Sequence, residues 1–259
     1  MDIKYHMIDP TGNITILVET PVKIEDQPFI GKLLMTKEPI CEQVGFISKG
    51  DKDCDIILRM AGGEFCGNAT MSAAVFWAKE SGLSDGNKID VVVKVLGVSD
   101  HIDVLVERCG EEYFGSVTMP RPLSITTEEF FYDGHKYRYP VVNFPGISHL
   151  VVDDYLPVTM AEDAIKVWAH EKGYEGIGLM NLSRDHKQLR PLVYIPSADS
   201  LVWESSCASG TTSVGAYYAY RDRKDCHFEF EEPGGILTID AGKDGSLKLS
   251  GKVSFMGSN

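Results

Sequence analysis

Much is missing from this chain, and each absence excludes something. No apolar run approaches the roughly 20 residues of a membrane-spanning helix. Residues 1–9 lack the charged-then-apolar pattern of a secretory signal. Basic residues are outnumbered, 25 Lys and Arg against 38 Asp and Glu, for a formal net charge of −13 over 259 residues. A nucleic-acid-binding face needs the opposite balance; an acidic excess of this kind serves solubility. There is no Cys-x-x-Cys, so zinc-ribbon and thioredoxin motifs are unsupported, and no ligands converge at a metal-binding spacing. There is no P-loop and no Gly-x-Gly-x-x-Gly between a strand and a helix. No lysine sits in a pyridoxal-phosphate context. The expectation is a cytoplasmic protein with no cofactor, metal, nucleic-acid partner or membrane partner, working as a monomer or homodimer.

What is present is mostly β. Hydrophobic residues make up 43% of the chain, enough for a sizeable core. Short runs rich in β-branched residues, bounded by Gly, Pro or Asp, read as strands. They fall at 3–7, 14–19, 43–48, 54–60, 89–97, 101–108, 114–119, 130–143, 149–152, 176–181, 192–195, 228–230, 235–240 and 247–255. Three helices are predicted: about 68–81; one opening on a capping-box pattern at Thr159-Met160-Ala161-Glu162 and ending near Gly173; and about 209–220. The first and third are rich in small and aromatic residues and poor in charge until their last turns, which predicts buried helices. Met119-Pro120-Arg121-Pro122 breaks any regular element and is the expected boundary. The plan on either side is alike: strands, a buried helix, more strands. This predicts a duplicated α+β fold with a cleft between two pseudo-equivalent halves, 1–118 and 119–251.

Six cysteines are scattered along the chain: Cys41, Cys54, Cys66, Cys109, Cys207 and Cys226. Two sit in nearly matching frames. Cys66 opens Cys66-Gly67-Asn68-Ala69-Thr70, and Cys207 opens Cys207-Ala208-Ser209-Gly210-Thr211. Each precedes small residues and then a predicted helix. A thiol at a helix N-terminus faces unpaired N–H groups and the positive end of the dipole, which favour the thiolate. Two such thiols suit proton exchange at a weakly acidic carbon: one removes a proton from one face and the other returns one to the opposite face. Helix-start N–H groups of Gly67, Asn68, Ala208 and Ser209 would hold a carboxylate as charge builds on it. The four remaining cysteines read as packing or surface residues.

These motifs resemble those of the cofactor-independent diaminopimelate epimerase-like superfamily over most of the chain. The resemblance implies two related halves, each a β-barrel-like layer around a central helix, with a last strand near 252–259 returning to the first half. Pro10-Thr11-Gly12-Asn13 resembles the family's Gly-Asn turn and implies a substrate contact at Asn13. Glu42-Gln43-Val44 resembles its Asp-Gln strand start and implies one at Gln43. Pro145-Gly146-Ile147-Ser148-His149 resembles Gly-Asn-Pro-His and makes His149 a candidate for tuning a cysteine. Gly176-Ile177-Gly178-Leu179-Met180 resembles Asn-Val-Gly-Phe-Met. In diaminopimelate epimerases an Arg ahead of the second Cys grips the distal carboxylate. Here residues 197–204 contain two acids and neither Arg nor Lys, and the two motif Asn positions are Ile147 and Gly176. The expected substrate is therefore an amino acid with a neutral or cationic side chain. Within the superfamily the pattern is most similar to the histidine racemases.

Glu204, three residues before Cys207, reads equally as a group that hydrogen-bonds an imidazole or tunes that cysteine and as a solvated loop acid. Trp203 reads equally as pocket lining or core, while Glu64 reads as solvated and His6 and His227 as structural or surface residues. Three rivals stand beside an amino-acid racemase: a diaminopimelate epimerase with an altered pocket, a Cys66–Cys207 redox switch, and an amino-acid-binding protein without chemistry.

Overall fold

The computed structural model describes residues 3–96, 101–153 and 155–259. Among these the chain forms sixteen strands and four α-helices. They divide into two compact units, residues 1–118 with 250–259, and residues 119–249.

The first unit is a closed barrel. Strands β1 (Tyr5–Pro10), β2 (Thr15–Val18), β3 (Gln43–Lys49), β4 (Ile56–Met60), β5 (Lys88–Val95), β6 (His101–Cys109) and β7 (Glu112–Thr118) follow in order. The last strand, β16 (Leu247–Ser258), neighbours β7 and pairs antiparallel with β1, which closes the ring at eight strands. Two neighbouring pairs, β2–β3 and β4–β5, are parallel, and parallel neighbours need a crossover. Helix α1 (Gln27–Lys37) supplies the first and α2 (Gly67–Glu80) the second. From Gly67 to Ala78 every residue of α2 except Trp77 is buried. Its small residues let the strands approach from all sides, as a helix without a polar face requires.

The second unit carries a six-stranded sheet in the order β13-β12-β11-β10-β9-β8. Its strands are β8 (Ser124–Tyr132), β9 (His135–Phe144), β10 (Ile147–Val152), β11 (Ile177–Leu182), β12 (Leu189–Ile195) and β13 (Ser200–Trp203). Its parallel pair, β10–β11, is bridged by α3 (Val158–Lys172). Successive side chains on a strand point to opposite faces, and both faces of this sheet are covered. Leu150, Val152, Ile177 and Leu179 pack with Ile165 and Trp168 of α3, whose indole N–H is satisfied by the Phe131 carbonyl at 2.9 Å. The alternate residues, His149 and Met180, face α4 (Ala208–Asp222). The hairpin of β14 (Cys226–Glu232) and β15 (Gly235–Ala241) packs against α4 as well. The two units thus share a buried, cysteine-led helix, but a barrel surrounds one, and a sheet plus a hairpin flank the other.

Three expectations need correction. Helix α1 is absent from the sequence reading: Pro28 and Gly31 look like breakers, and only Gln27, Gly31 and Leu34 are buried, too thin a stripe to register. The run 130–143 is a hairpin, turning at Asp133 and Gly134, both with positive φ, as an Asp-Gly pair favours. Helix α3 starts at Val158 with Pro157 as its cap and no side-chain cap bond, so the Thr159 capping box does not form. With the cap at Pro157, Thr159 is the second residue of the helix and so cannot cap it. The predicted strand end at Gly97 lies outside the described residues.

Candidate active site

In the first unit, Cys66 is the N-cap of α2, with extended backbone (φ −134°, ψ 117°). Its Sγ accepts the Ala69 N–H at 3.4 Å, and its carbonyl accepts the Thr70 N–H and hydroxyl. Cys66 is half-buried, whereas Gly67 and Asn68 behind it are buried. Asn13, only 6% exposed, lies between β1 and β2. Its amide donates to Glu42 at 2.5 Å and accepts from Gln43, whose own amide also donates to the Thr15 hydroxyl at 2.7 Å. The parallel register that sets Thr15 opposite Gln43 brings them together. Asn13 and Gln43 therefore fix each other's orientation.

In the second unit, Cys207 caps α4 with nearly the same backbone (φ −127°, ψ 102°), and its Sγ accepts the Gly210 N–H at 3.3 Å. A side chain at Gly210 would not fit: a Cβ there would lie 2.1 Å from the Met180 sulfur and 3.0 Å from Cys207 Sγ. Unlike Cys66, Cys207 is buried. Ser209 Oγ stands 3.7 Å from Sγ and 2.9 Å from His149 Nε2, so His149 reaches the thiol through Ser209. Gly178 gives the imidazole its room, since a Cβ there would meet Nδ1 at 2.3 Å. Complete burial lowers the His149 pKa to about 3, so the ring is neutral at physiological pH.

The helix terminus does not decide the acidity of Cys207. Burial raises its pKa well above the ordinary value; the Glu204 carboxylate, which accepts a hydrogen bond from the thiol, and Glu232 raise it further, and only Ser209 opposes them. Of one thiol and one thiolate expected at the pair, the surroundings of Cys207 favour the thiol, because burial and the neighbouring Glu204 disfavour its charged form.

Glu232 is a residue the sequence reading missed. It is 3% exposed. Its Oε2 accepts the Cys207 backbone N–H at 2.9 Å, and its Oε1 accepts the Thr211 hydroxyl proton. The signal was available in strand alternation: Phe228, Phe230 and Glu232 share one face of β14, and the latter two are buried. Trp203 joins the α3 side, where it packs against the core and donates to Glu162 at 2.7 Å. Glu64 is exposed. His6 pairs with Glu19 and His227 with Asp240.

None of the six cysteines is in a disulfide. Among the described residues, Cys66 and Cys207 are the two that cap helices. No three His, Cys, Asp or Glu side chains among the described residues gather as a metal site would need, and no helix there is long and apolar enough to cross a membrane.

The family profile described as the histidine racemase CntK N-terminal domain matches residues 2–257. The chain belongs to the histidine racemase family. It is accordingly an isomerase. A histidine racemase of Staphylococcus aureus is 32% identical over 247 residues, covering 92% of this chain and 88% of the relative. One from Fusobacterium nucleatum subsp. nucleatum is 32% identical over 258 residues, covering 96% and 93%. Among solved structures, a predicted epimerase from Pseudomonas aeruginosa superposes with a TM-score of 0.71 at 14% identity, over 100% of this chain and 98% of the other. A hydroxyproline epimerase from Agrobacterium vitis, solved with trans-4-hydroxy-L-proline, gives 0.69 at 11% identity, over 99% and 91%. At such identities the likeness speaks for the fold alone: this member of the histidine racemase family shares its architecture with racemases and epimerases of other names.

Proposed function

We propose that the chain is a cofactor-independent histidine racemase in which Cys66 and Cys207 exchange protons with opposite faces of the substrate Cα. The observation that carries this reading is the pair of helix caps: each sulfur accepts an N–H of its helix's first turn, at 3.4 and 3.3 Å. One cysteine, as thiolate, removes the Cα proton while the other, as thiol, delivers its own to the opposite face. The two exchange protonation states, and no proton is gained or lost overall. Cys207 begins as the donor, because its surroundings hold it as a thiol. The enantiomer that presents its Cα–H to Cys66 is then processed first.

Backbone N–H groups of Gly67, Asn68, Ala208 and Ser209 hold the substrate carboxylate at two helix starts, where the dipole favours the growing negative charge. Asn13 and Gln43 orient the substrate. Glu204 tunes Cys207 or takes the imidazole, and His149 acts on the thiol through Ser209. A neutral or cationic side chain suits a segment 197–204 that carries two acids and offers no cation for a second carboxylate. The histidine racemase name of the relatives points the same way. The wider kinship with diaminopimelate epimerases belongs to the same proposal and rests on the two cysteine motifs.

Incubation with L-histidine in D₂O tests the reading. It requires α-deuteration with loss of optical rotation, without added cofactor. Exchange of diaminopimelate in place of histidine moves the substrate assignment and keeps the chemistry. No exchange in any amino acid refutes both.

A further inference from the structure

Glu232 has no part in the chemistry just described, yet it is the one Asp or Glu buried among the described residues. Buried carboxylates are rare unless paired. This one is the last residue of β14, whose end is tied by Gly234 N–H to the Ser205 carbonyl ahead of α4 at 2.7 Å, and by Glu231 N–H to the Lys187 carbonyl in the β11–β12 connection at 2.8 Å. Its two oxygens take hydrogens from both ends of one helical turn, the Cys207 N–H at the cap and the Thr211 hydroxyl a turn later. The Cys207 N–H has no partner within the helix, so the carboxyl group satisfies it from outside.

We propose that Glu232 is a positioning residue for Cys207: its carboxyl group fixes the first turn of α4, and its charge sets how readily the thiol yields its proton. The proposal rests on Cys207 being a reacting group. The titratable groups facing Glu232 are Cys207 itself, at the start of α4, and Glu204, in the segment before it. Thr211 on α4 and Phe230 on its own strand carry no charge. Burial raises the carboxyl to about 8, with Glu204 adding to the rise and the bonds from Thr211 and Cys207 opposing it. The carboxyl is therefore neutral below that pH and anionic above it, and the anion makes thiolate formation at Cys207 harder. A proton on Glu232 keeps Cys207 easier to ionise, and its loss closes the working range on the alkaline side.

The test compares wild type with Glu232→Gln, reading iodoacetamide alkylation of Cys207 by peptide mass spectrometry across pH. Glutamine keeps the shape and carries no charge: its amide oxygen accepts the Cys207 N–H, and its NH2 donates to the Thr211 hydroxyl, which reverses that bond. The variant should alkylate Cys207 about tenfold faster above pH 8, equivalent to one pKa unit, while Cys66 stays within twofold. A folded variant with an unchanged Cys207 profile overturns the proposal. Should the variant not fold, the wild type decides alone. With ¹³C-labelled glutamate, one carboxyl resonance should titrate near pH 8, and the Cys207 alkylation profile should bend at the same pH. Absence of either feature overturns the proposal. Alkylation needs no turnover. An enzyme inactive on every amino acid whose Cys207 still answers to Glu232 would defeat the racemase reading and leave this one standing. An active racemase whose Cys207 ignores Glu232 would do the reverse.

Discussion

Cys66 and Cys207 have nearly the same backbone dihedrals and the same bond from sulfur to the N–H three residues on. Their surroundings differ. Cys66 is half-buried, in a unit whose polar side chains at 13, 15, 42 and 43 bond to one another. Cys207 is buried beside Glu204, Glu232, Ser209 and, through Ser209, a neutral His149. The local motif fixes where a sulfur sits; burial, the nearby Glu204 and, from a distant strand, Glu232 bear on its charge. Under the two-base proposal the cysteines hold opposite protonation states, and unlike settings favour that.

The largest test of that contrast is to remove each sulfur. Cys66→Ser and Cys207→Ser should each lower racemisation by about 10²–10⁴-fold, the usual worth of a positioned proton-transfer group, in an optical-rotation assay. Retention of activity in either variant would end the two-base account. Next come the residues that give up their N–H to the sulfur. Gly210→Ala should destabilise by about 1–3 kcal/mol, as overpacking does, because its methyl meets Met180. The matching change in the other helix, Ala69→Gly, should cost only about 1 kcal/mol of helix propensity. Urea unfolding measures both, and equal costs would show that the two turns are packed alike.

Two pH slopes belong to the second unit. The folded pKa of His149 is depressed from 6.5 to about 3. Its contribution is therefore fully present above 6.5 and lost as pH falls toward 3. Glu232 is raised from 4.5 to about 8. Its contribution is present below 4.5 and lost as pH rises toward 8. Each slope reaches at most about 1.4 kcal/mol per pH unit for one proton, and between 4.5 and 6.5 the two oppose each other. Glu232→Gln should flatten the decline toward pH 8 in thermal melts and leave the acid limb in place; an unaltered decline would place its origin elsewhere. The smallest expected effect is kinetic: in wild type near neutral pH, Cys66 should alkylate about tenfold faster than Cys207, and a reversed order would contradict the burial and the acidity described for Cys207.

The sequence made the helices α2 and α4 visible, because uncharged runs of small residues behind a cysteine have few other uses. It also named residues that the structure finds bonded to one another or, in the second unit, set beside Cys207. The structure places Asn13 against Gln43, His149 against Ser209, and Glu204 against Cys207. Helix α1 stayed hidden because three buried residues give no periodic stripe. Glu232 stayed hidden for another reason: strand alternation marks it as inward-facing, but its partners lie 25 and 21 positions away, and nothing in Glu-Glu-Pro-Gly-Gly names a distant cysteine. Turns and helices are written over short windows, whereas the acidity of a thiol is written across the fold.

The barrel of the first unit has a consequence for how the chain folds. Strands β1 and β7 keep open edges until residues 250–258 arrive, and the whole second unit is synthesised in between. Unpaired edges invite pairing with other chains, and closure over so long a separation is slow. During synthesis the strands of the first unit must wait, half-finished, for a partner made after the second unit. That interval, more than the finished enzyme, is where this protein is most exposed to aggregation.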